Sequence, residues 1–321
     1  MNIVFLDGYT LQASPQTMEK LQAFGQLTIY DRTSPEQIIE RSIHADILIV
    51  NKTPLSKETI AQLPNLRLIC VAATGYDKVD TDYARKRGIP VCNCAGYSSK
   101  AVAQMALSLL LEAADHVGFY TEENRKGRWS KCDDFCYMTR PRLDLNNRRM
   151  AIIGLGSIGH TLANIMHALG LQLFAVTSKE EALLPPYIHK ISMEEAFSTC
   201  DIVSLNCPLT PHNRAFVNAP LLAKARRGLI LINTARGGLI NEQDVADALR
   251  SGTLGAYCAD VMTQEPPEAD NPLFTAPNAY LTPHIGWKTP VTVERIVSLL
   301  AQNIEGFLSG NPVSVVNQKE G

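Results

Sequence analysis

The chain has 321 residues, 45% hydrophobic and 19% charged, with a formal net charge of −2. That length accommodates two domains of ordinary size, and the composition is that of a globular α/β protein. So small a net charge gives no electrostatic footprint for nucleic acid or an anionic membrane, and no uninterrupted apolar run approaches the length of a membrane span. The opening residues, MNIVFLDGY, enter a strand pattern directly, with neither the charged nor the apolar region of a signal peptide, so a cytoplasmic protein is expected.

In chain order, residues 2–7 read as a strand, 11–24 as a helical stretch, and 46–51, 66–73 and 89–94 as three further strands. Strands alternating with helical segments indicate βαβ units and a parallel sheet, so the chain up to about Tyr97 forms a small α/β domain. The pentapeptide ATGYD at 73–77 is either a simple turn or a set of exposed N–H groups able to hold a carboxylate; on its own it does not decide. Ser98 or Ser99 can cap a long helix running to about Tyr120, with Val102, Met105, Ala106, Leu109, Leu110, Ala113 and Val117 as its apolar stripe. Residues 121–149 are polar and aromatic without periodicity, and so long a connection reads as an arm that packs in a dimer.

The stretch 149–159, RMAIIGLGSIG, joins a buried strand pattern to a helix through Gly154, Gly156 and Gly159. The first glycine permits the tight turn, the second a close approach to a diphosphate, and the third close packing of helix on strand. The turn, with Ser157 and Ile158 expected at the cofactor, opens onto a helical pattern at 160–169 whose unpaired N–H groups favour an anion. This predicts a dinucleotide-binding turn. Strand patterns continue at 171–176, 201–206, 229–233, 255–260 and 279–282, with helices at 192–198, 220–225 and 242–250, giving a doubly wound sheet. Residues 290–308 form an amphipathic helix. Of the eight cysteines, Cys70, Cys92, Cys94, Cys207 and Cys258 lie in or beside apolar runs. Cys132 and Cys136 have no second pair nearby to complete a zinc set, so reduced thiols and no metal are expected.

Three strand ends in the second half carry polar groups: Arg236 after 229–233, Asp260 and Glu265 after 255–260, and His284 after 279–282. Ligands in open α/β sheets sit outside the carboxyl ends of strands, so these residues belong on one rim. Together they suit reduction of a 2-oxo acid. A guanidinium clamps the carboxylate, an imidazolium gives a proton to the carbonyl oxygen as hydride reaches carbon, and a carboxylate steadies the imidazolium. Singly, each has a bland reading: a surface ion pair for Arg236, a solvated charge for Glu265 and a cap for His284.

The stretches GLGSIG (154–159), DIVSLNCPLT (201–210), INTARGGLINEQDVADAL (232–249), ADVMTQEPP (259–267) and TPHIGW (282–287) resemble those of the D-isomer-specific 2-hydroxyacid dehydrogenases, and the resemblance covers nearly the whole chain. It implies two Rossmann-like domains: a smaller flavodoxin-like substrate domain of residues 1–98 with 291–321, and a nucleotide domain of residues 99–290. It implies that Arg236 binds substrate, Glu265 pairs with His284, and His284 is the acid–base. Thr74 and Gly75 would offer N–H groups to the substrate carboxylate. Asp260 would hold the nicotinamide carboxamide, with Cys207, Pro208, Thr234, Ala235 and Gly286 along the cofactor. Members are dimers built on the 99–150 helix and arm.

Two positions depart from the pattern. Thr177, Ser178 and Lys179 stand where an acidic residue would bind the adenosine ribose, which points to NADP(H) or use of both cofactors rather than NAD(H) alone, although Glu180 and Glu181 follow. Asn206 stands where many relatives carry His. Within the family, Glu265 argues against the formate dehydrogenases, and the arm with the TPHIGW segment is most similar to glycerate dehydrogenases, also called hydroxypyruvate reductases. Trp129 and Trp287 would then line the pocket, a core role being the alternative for each. Glyoxylate, D-lactate and 3-phosphoglycerate are other substrates the pattern allows. A nucleotide-sensing binding protein of the corepressor type shares the fold and is the reading from another class.

Overall fold

The structure, a computed structural model, describes residues 1–318. These form two compact units: Met1–Tyr97 together with the chain from Lys288 onward, and Ser98–Trp287.

In the first unit, strands β1 (Asn2–Phe5), β2 (Gln26–Ile29), β3 (Ile47–Val50), β4 (Leu68–Val71) and β5 (Val91–Asn93) make one parallel sheet in the order β2-β1-β3-β4-β5. All residues of β3 and β4 are buried, which is why their sequences are continuously apolar. Strand β2 was not expected from sequence. It is an edge strand, QLTI, only half-buried, and therefore carries no apolar signature. The helical stretch expected over 11–24 forms only from Pro15 to Gln22, where Ser14 caps it by accepting from the Thr17 N–H. Helix Pro290–Leu308 packs on Pro15–Gln22 and β4, and Asn317 Oδ1 then accepts from the Val91 N–H at 2.9 Å. The sheet reverses direction between β1 and β3, where an α/β sheet usually offers a crevice. Here buried Asp7 fills it, its carboxylate taking the N–H groups of Asn51, Lys52 and Thr53 at 2.6–3.1 Å.

In the second unit, β6 (Arg149–Ile153), β7 (Gln172–Val176), β8 (Ile188–Lys190), β9 (Ile202–Leu205), β10 (Leu229–Asn233), β11 (Leu254–Ala259) and β12 (Ala279–Leu281) form a parallel sheet. Its order is β12-β11-β10-β9-β6-β7-β8. The reversal falls between β6 and β9, so their carboxyl ends mark the ligand crevice of this unit. Strand β8, three residues at the edge with only Ile188 buried, also escaped the sequence pattern. The long helix expected to reach about Tyr120 stops earlier. Ser99–Asp115 ends at His116, whose φ of 54° is left-handed, and a second helix, Val117–Arg125, follows. The His116 Nδ1 lies 3.2 Å from the Tyr280 hydroxyl, which anchors the break. Ser98 occupies the N-cap position without a side-chain capping bond, contrary to the cap expected there. Among the described residues no helix is long and apolar enough to cross a membrane.

Candidate active site

The glycine turn leaves β6 with Gly154 at φ +92°, and a Cβ at Gly154 would lie 2.7 Å from the Cys207 nitrogen. A Cβ at Gly159 would come within 2.3 Å of the Gly154 carbonyl oxygen. Helix Ser157–Ala168 therefore starts tight against the strand, with Gly156 at its N-cap providing no side-chain cap and nothing within 4 Å of where its Cβ would be. First-turn N–H groups without a capping side chain, at the end of a twelve-residue helix beside the sheet reversal, suit a diphosphate. The Ser157 hydroxyl accepts from Ser99 at 3.0 Å, tying that helix to Ser99–Asp115. Cys207 and Pro208 follow β9 next to this turn, and burial pushes the Cys207 thiol up from its ordinary value. Beyond β7, the Thr177 hydroxyl accepts from the Lys179 N–H at 3.3 Å, and Lys190 Nζ donates to the Lys179 carbonyl at 2.7 Å.

At the ends of β10, β11 and β12 the catalytic candidates are built in layers. Asn233, fully buried at the end of an otherwise apolar strand, accepts from the Ala235 N–H (3.1 Å) and donates to the Arg236 carbonyl (2.9 Å). This brace fixes the turn that carries Thr234, Ala235 and Arg236. The Arg236 Nη1 folds back to the Ala235 carbonyl at 2.7 Å and remains part-exposed. The next residue, Gly237, lies flat on the following loop, where an added Cβ would be 1.9 Å from the Met262 carbonyl carbon. The loop bearing Arg236 is thus in backbone contact with the loop bearing Glu265.

That second loop is held from below by Glu242, whose carboxylate accepts from the Thr263 N–H and the Asn271 amide, both at 2.7 Å. Glu265 Oε1 accepts from the Met262 N–H at 3.0 Å, which leaves Oε2 to face His284 Nδ1 at 2.6 Å. The side chains of His284 and Glu265 are 26% and 35% exposed, so the pair is open to a small molecule but ordered. His284 itself is left-handed, φ 54°, with its N–H on the Thr282 carbonyl at 3.0 Å.

Asp260 controls that unusual loop. Buried to 3% exposure, it accepts from the Thr282 hydroxyl (2.6 Å) and from the N–H groups of Ile285 (2.9 Å) and Gly286 (2.7 Å), gripping the chain on both sides of His284. Three of the carboxylate's roughly four acceptor positions are therefore engaged within the protein.

The structure brings together Glu265 and His284, links Arg236 to them through Gly237, and sets Asp260 and Gly286 beneath them. Thr74 and Gly75 follow β4 in the other unit, with the Thr74 hydroxyl on the Cys94 carbonyl at 3.1 Å. Trp129 has no core role. It is 54% exposed, and its Nε1 donates to the Phe135 carbonyl at 3.0 Å within the arm. Trp287 closes the second unit at partial exposure. Sequence reasoning missed Asn233, Glu242 and Thr282. A polar residue ending the apolar strand LILIN was the available signal for Asn233; the other two had none.

Comparison with known proteins identifies the family. Residues 107–286 match the sequence profile described as "D-isomer specific 2-hydroxyacid dehydrogenase, NAD binding domain". The chain is 40% identical to a hydroxypyruvate reductase of Blautia hydrogenotrophica, covering 99% of this chain and 100% of that one. It is 36% identical to a glycerate dehydrogenase of Methylorubrum extorquens, covering 98% of each. Among solved structures it is similar to an acyclic imino acid reductase in complex with NADPH and D-Arg, with a TM-score of 0.89, 28% identity and coverage of 98% and 100%. The TT0316 protein of Thermus thermophilus aligns at a TM-score of 0.86 and 31% identity with the same coverage. These matches show that the chain belongs to the D-isomer-specific 2-hydroxyacid dehydrogenases, nicotinamide-dependent oxidoreductases of 2-hydroxy and 2-oxo acids.

Proposed function

We propose that the protein reduces hydroxypyruvate to D-glycerate, with glyoxylate as a second substrate. The contact that carries the proposal is His284 Nδ1 to Glu265 Oε2 at 2.6 Å, and the substrate class follows the relatives named hydroxypyruvate reductase and glycerate dehydrogenase. When bound, the nicotinamide supplies the hydride. With Nδ1 held by the carboxylate, Nε2 is the imidazole atom that gives a proton to the substrate's carbonyl oxygen and retrieves it in the reverse direction. Arg236 binds the substrate carboxylate and polarises the carbonyl beside it. Trp287 borders the C3 end of the substrate. Asp260 uses its remaining acceptor position for the carboxamide, with Thr234, Ala235 and Gly286 beside it.

For the cofactor we assign NADP(H) or dual use. The loop of Thr177, Ser178 and Lys179 offers a hydroxyl pair and an ammonium in place of a carboxylate, and Lys190 brings a second ammonium to the same loop. Val117, Trp129, Phe135 and Met138, between 54% and 88% exposed along the helix and arm, support a homodimer formed there.

The deciding assay follows oxidation of NADPH and NADH with hydroxypyruvate, glyoxylate, pyruvate and 3-phosphohydroxypyruvate. Turnover is expected with the first two and abolished in His284→Ala, which still binds the reduced cofactor. Cofactor binding without turnover on any small 2-oxo acid would favour a nucleotide-sensing protein instead.

A further inference from the structure

Glu265 meets His284 only where its own loop places it, and that loop has no regular structure. Residues 261–271 lie in neither strand nor helix. Without a ladder of backbone bonds, such a segment is fixed by the side chains that take its N–H groups. One carboxylate takes a group near each end. Half-buried Glu242 accepts from the Thr263 N–H on Oε1 and from the Asn271 amide on Oε2, both at 2.7 Å.

Glu242 is itself firmly seated. It opens the helix Glu242–Arg250, where Asn241 caps by accepting from the N–H groups of Gln243 and Asp244, and a negative charge suits a first turn. The pairing with Asn271 also has a fixed direction. Asn271 Oδ1 accepts from the Leu273 N–H at 3.0 Å, so only its Nδ2 can face position 242. Position 242 must therefore accept twice. A carboxylate does so, whereas an amide of the same shape must turn its own N–H groups toward one of the two donors.

We propose that Glu242 is a positioning residue for the proton transfer. Through Thr263 and Asn271 it seats the loop so that Glu265, with Oε1 on the Met262 N–H, presents Oε2 to His284. This rests on the reading of Glu265 and His284 as the acid–base pair.

The test is a reciprocal exchange across the clamp. Glu242→Gln opposes donor to donor, and Asn271→Asp opposes carboxylate to carboxylate. Each alone is expected to lower kcat with hydroxypyruvate about five- to tenfold, because a shift short of about 1 Å costs less than the roughly 100-fold of a full one. In the double variant Glu242→Gln/Asn271→Asp the introduced amide donates to the introduced carboxylate, whose other oxygen still takes the Leu273 N–H. Its kcat is expected to return to within about twofold of the parent. In a Glu265→Gln background, Glu242→Gln is expected to cost less than about twofold more, since its effect runs through the Glu265 carboxylate. Hydrogen exchange at the Met262 amide, which Glu265 Oε1 accepts, reads the seating without turnover and is expected to quicken in both single variants and recover in the double. Parental kcat in folded Glu242→Gln, an equal loss in the Glu265→Gln background, no recovery in the double variant, or unaltered exchange at Met262 would each overturn the proposal. A parent protein that turns over no 2-oxo acid would instead refute the acid–base reading, and exchange at Met262 would still decide whether Glu242 seats the loop.

Discussion

Glu265 and His284 stand 19 residues apart and meet because each lies just beyond a strand of one parallel sheet. A neutral Glu265→Gln keeps the shape and an acceptor facing Nδ1 but removes the charge that steadies an imidazolium. Its kcat is expected to fall by about 10–100-fold, less than the loss in His284→Ala, because general acid–base groups contribute about 10²–10⁴-fold. Steady-state rates with saturating cofactor check this, and an unchanged kcat in Glu265→Gln would remove the carboxylate from the mechanism. Thr177→Asp belongs to the same scale. A carboxylate there can accept from a ribose hydroxyl and repels a 2′-phosphate, so the NADPH/NADH ratio of kcat/KM is expected to drop by about tenfold or more. An unaltered ratio would mean that the loop does not read the adenosine ribose. The placement of Arg236, Glu265 and His284 beyond strand ends was legible because each follows an apolar run that reads as a strand. Asn233 and Glu242, which hold the loops in place, act through backbone groups far along the chain, and no local pattern announces such partners.

Among the elements, the interior strands were legible and the edge strands were not, for one physical reason. A strand buried on both faces is predominantly apolar, as β3 and β4 are along their whole length, whereas β2 and β8 expose side chains and satisfy only half of their ladder. The helix break at His116 was hidden because the apolar stripe runs on past it; only the left-handed backbone and the Tyr280 contact reveal it. At this scale Gly237 is the residue that joins loops. Because an added methyl would fall 1.9 Å from the Met262 carbonyl carbon, Gly237→Ala must push the Arg236 turn away from the loop that holds Glu265. The expected result is a folded protein with kcat/KM for the 2-oxo acid lowered about 100-fold or more, since misplacement of about 1 Å costs that much, while affinity for the cofactor's adenosine half is retained. A variant with parental kcat/KM would show that the two loops need not touch.

For the whole molecule, the two parallel sheets were legible from the alternation of strands and helices, and the tight strand-to-helix turn at 154–159 from its glycines. How Asp7 closes the reversal of the first sheet was not, because an aspartate ending a strand looks the same whether it meets a ligand or its own backbone. Both sheets also bury thiols, and this gives the molecule a predictable alkaline limit. Burial pushes Cys92 up to about 11 and Cys94 up to about 12, and raises Cys70 and Cys258 from the ordinary thiol value near 9. Below pH 9 the thiols stay protonated in native and unfolded chains alike, so their burial is fully stabilising. Above pH 9 the unfolded chain releases these protons while the native chain keeps them, and stability falls by about 1.4 kcal/mol per pH unit for each such thiol until the native group also ionises. Cys94, whose Sγ lies 3.8 Å from the Ile296 carbonyl, provides the test. Cys94→Ala is expected to be less stable than the parent at pH 8, yet to lose stability less steeply between pH 9 and 11, so that the two denaturation curves converge as pH rises. If the difference in unfolding free energy between them is constant from pH 8 to pH 11, the buried thiol is not what sets the alkaline limit.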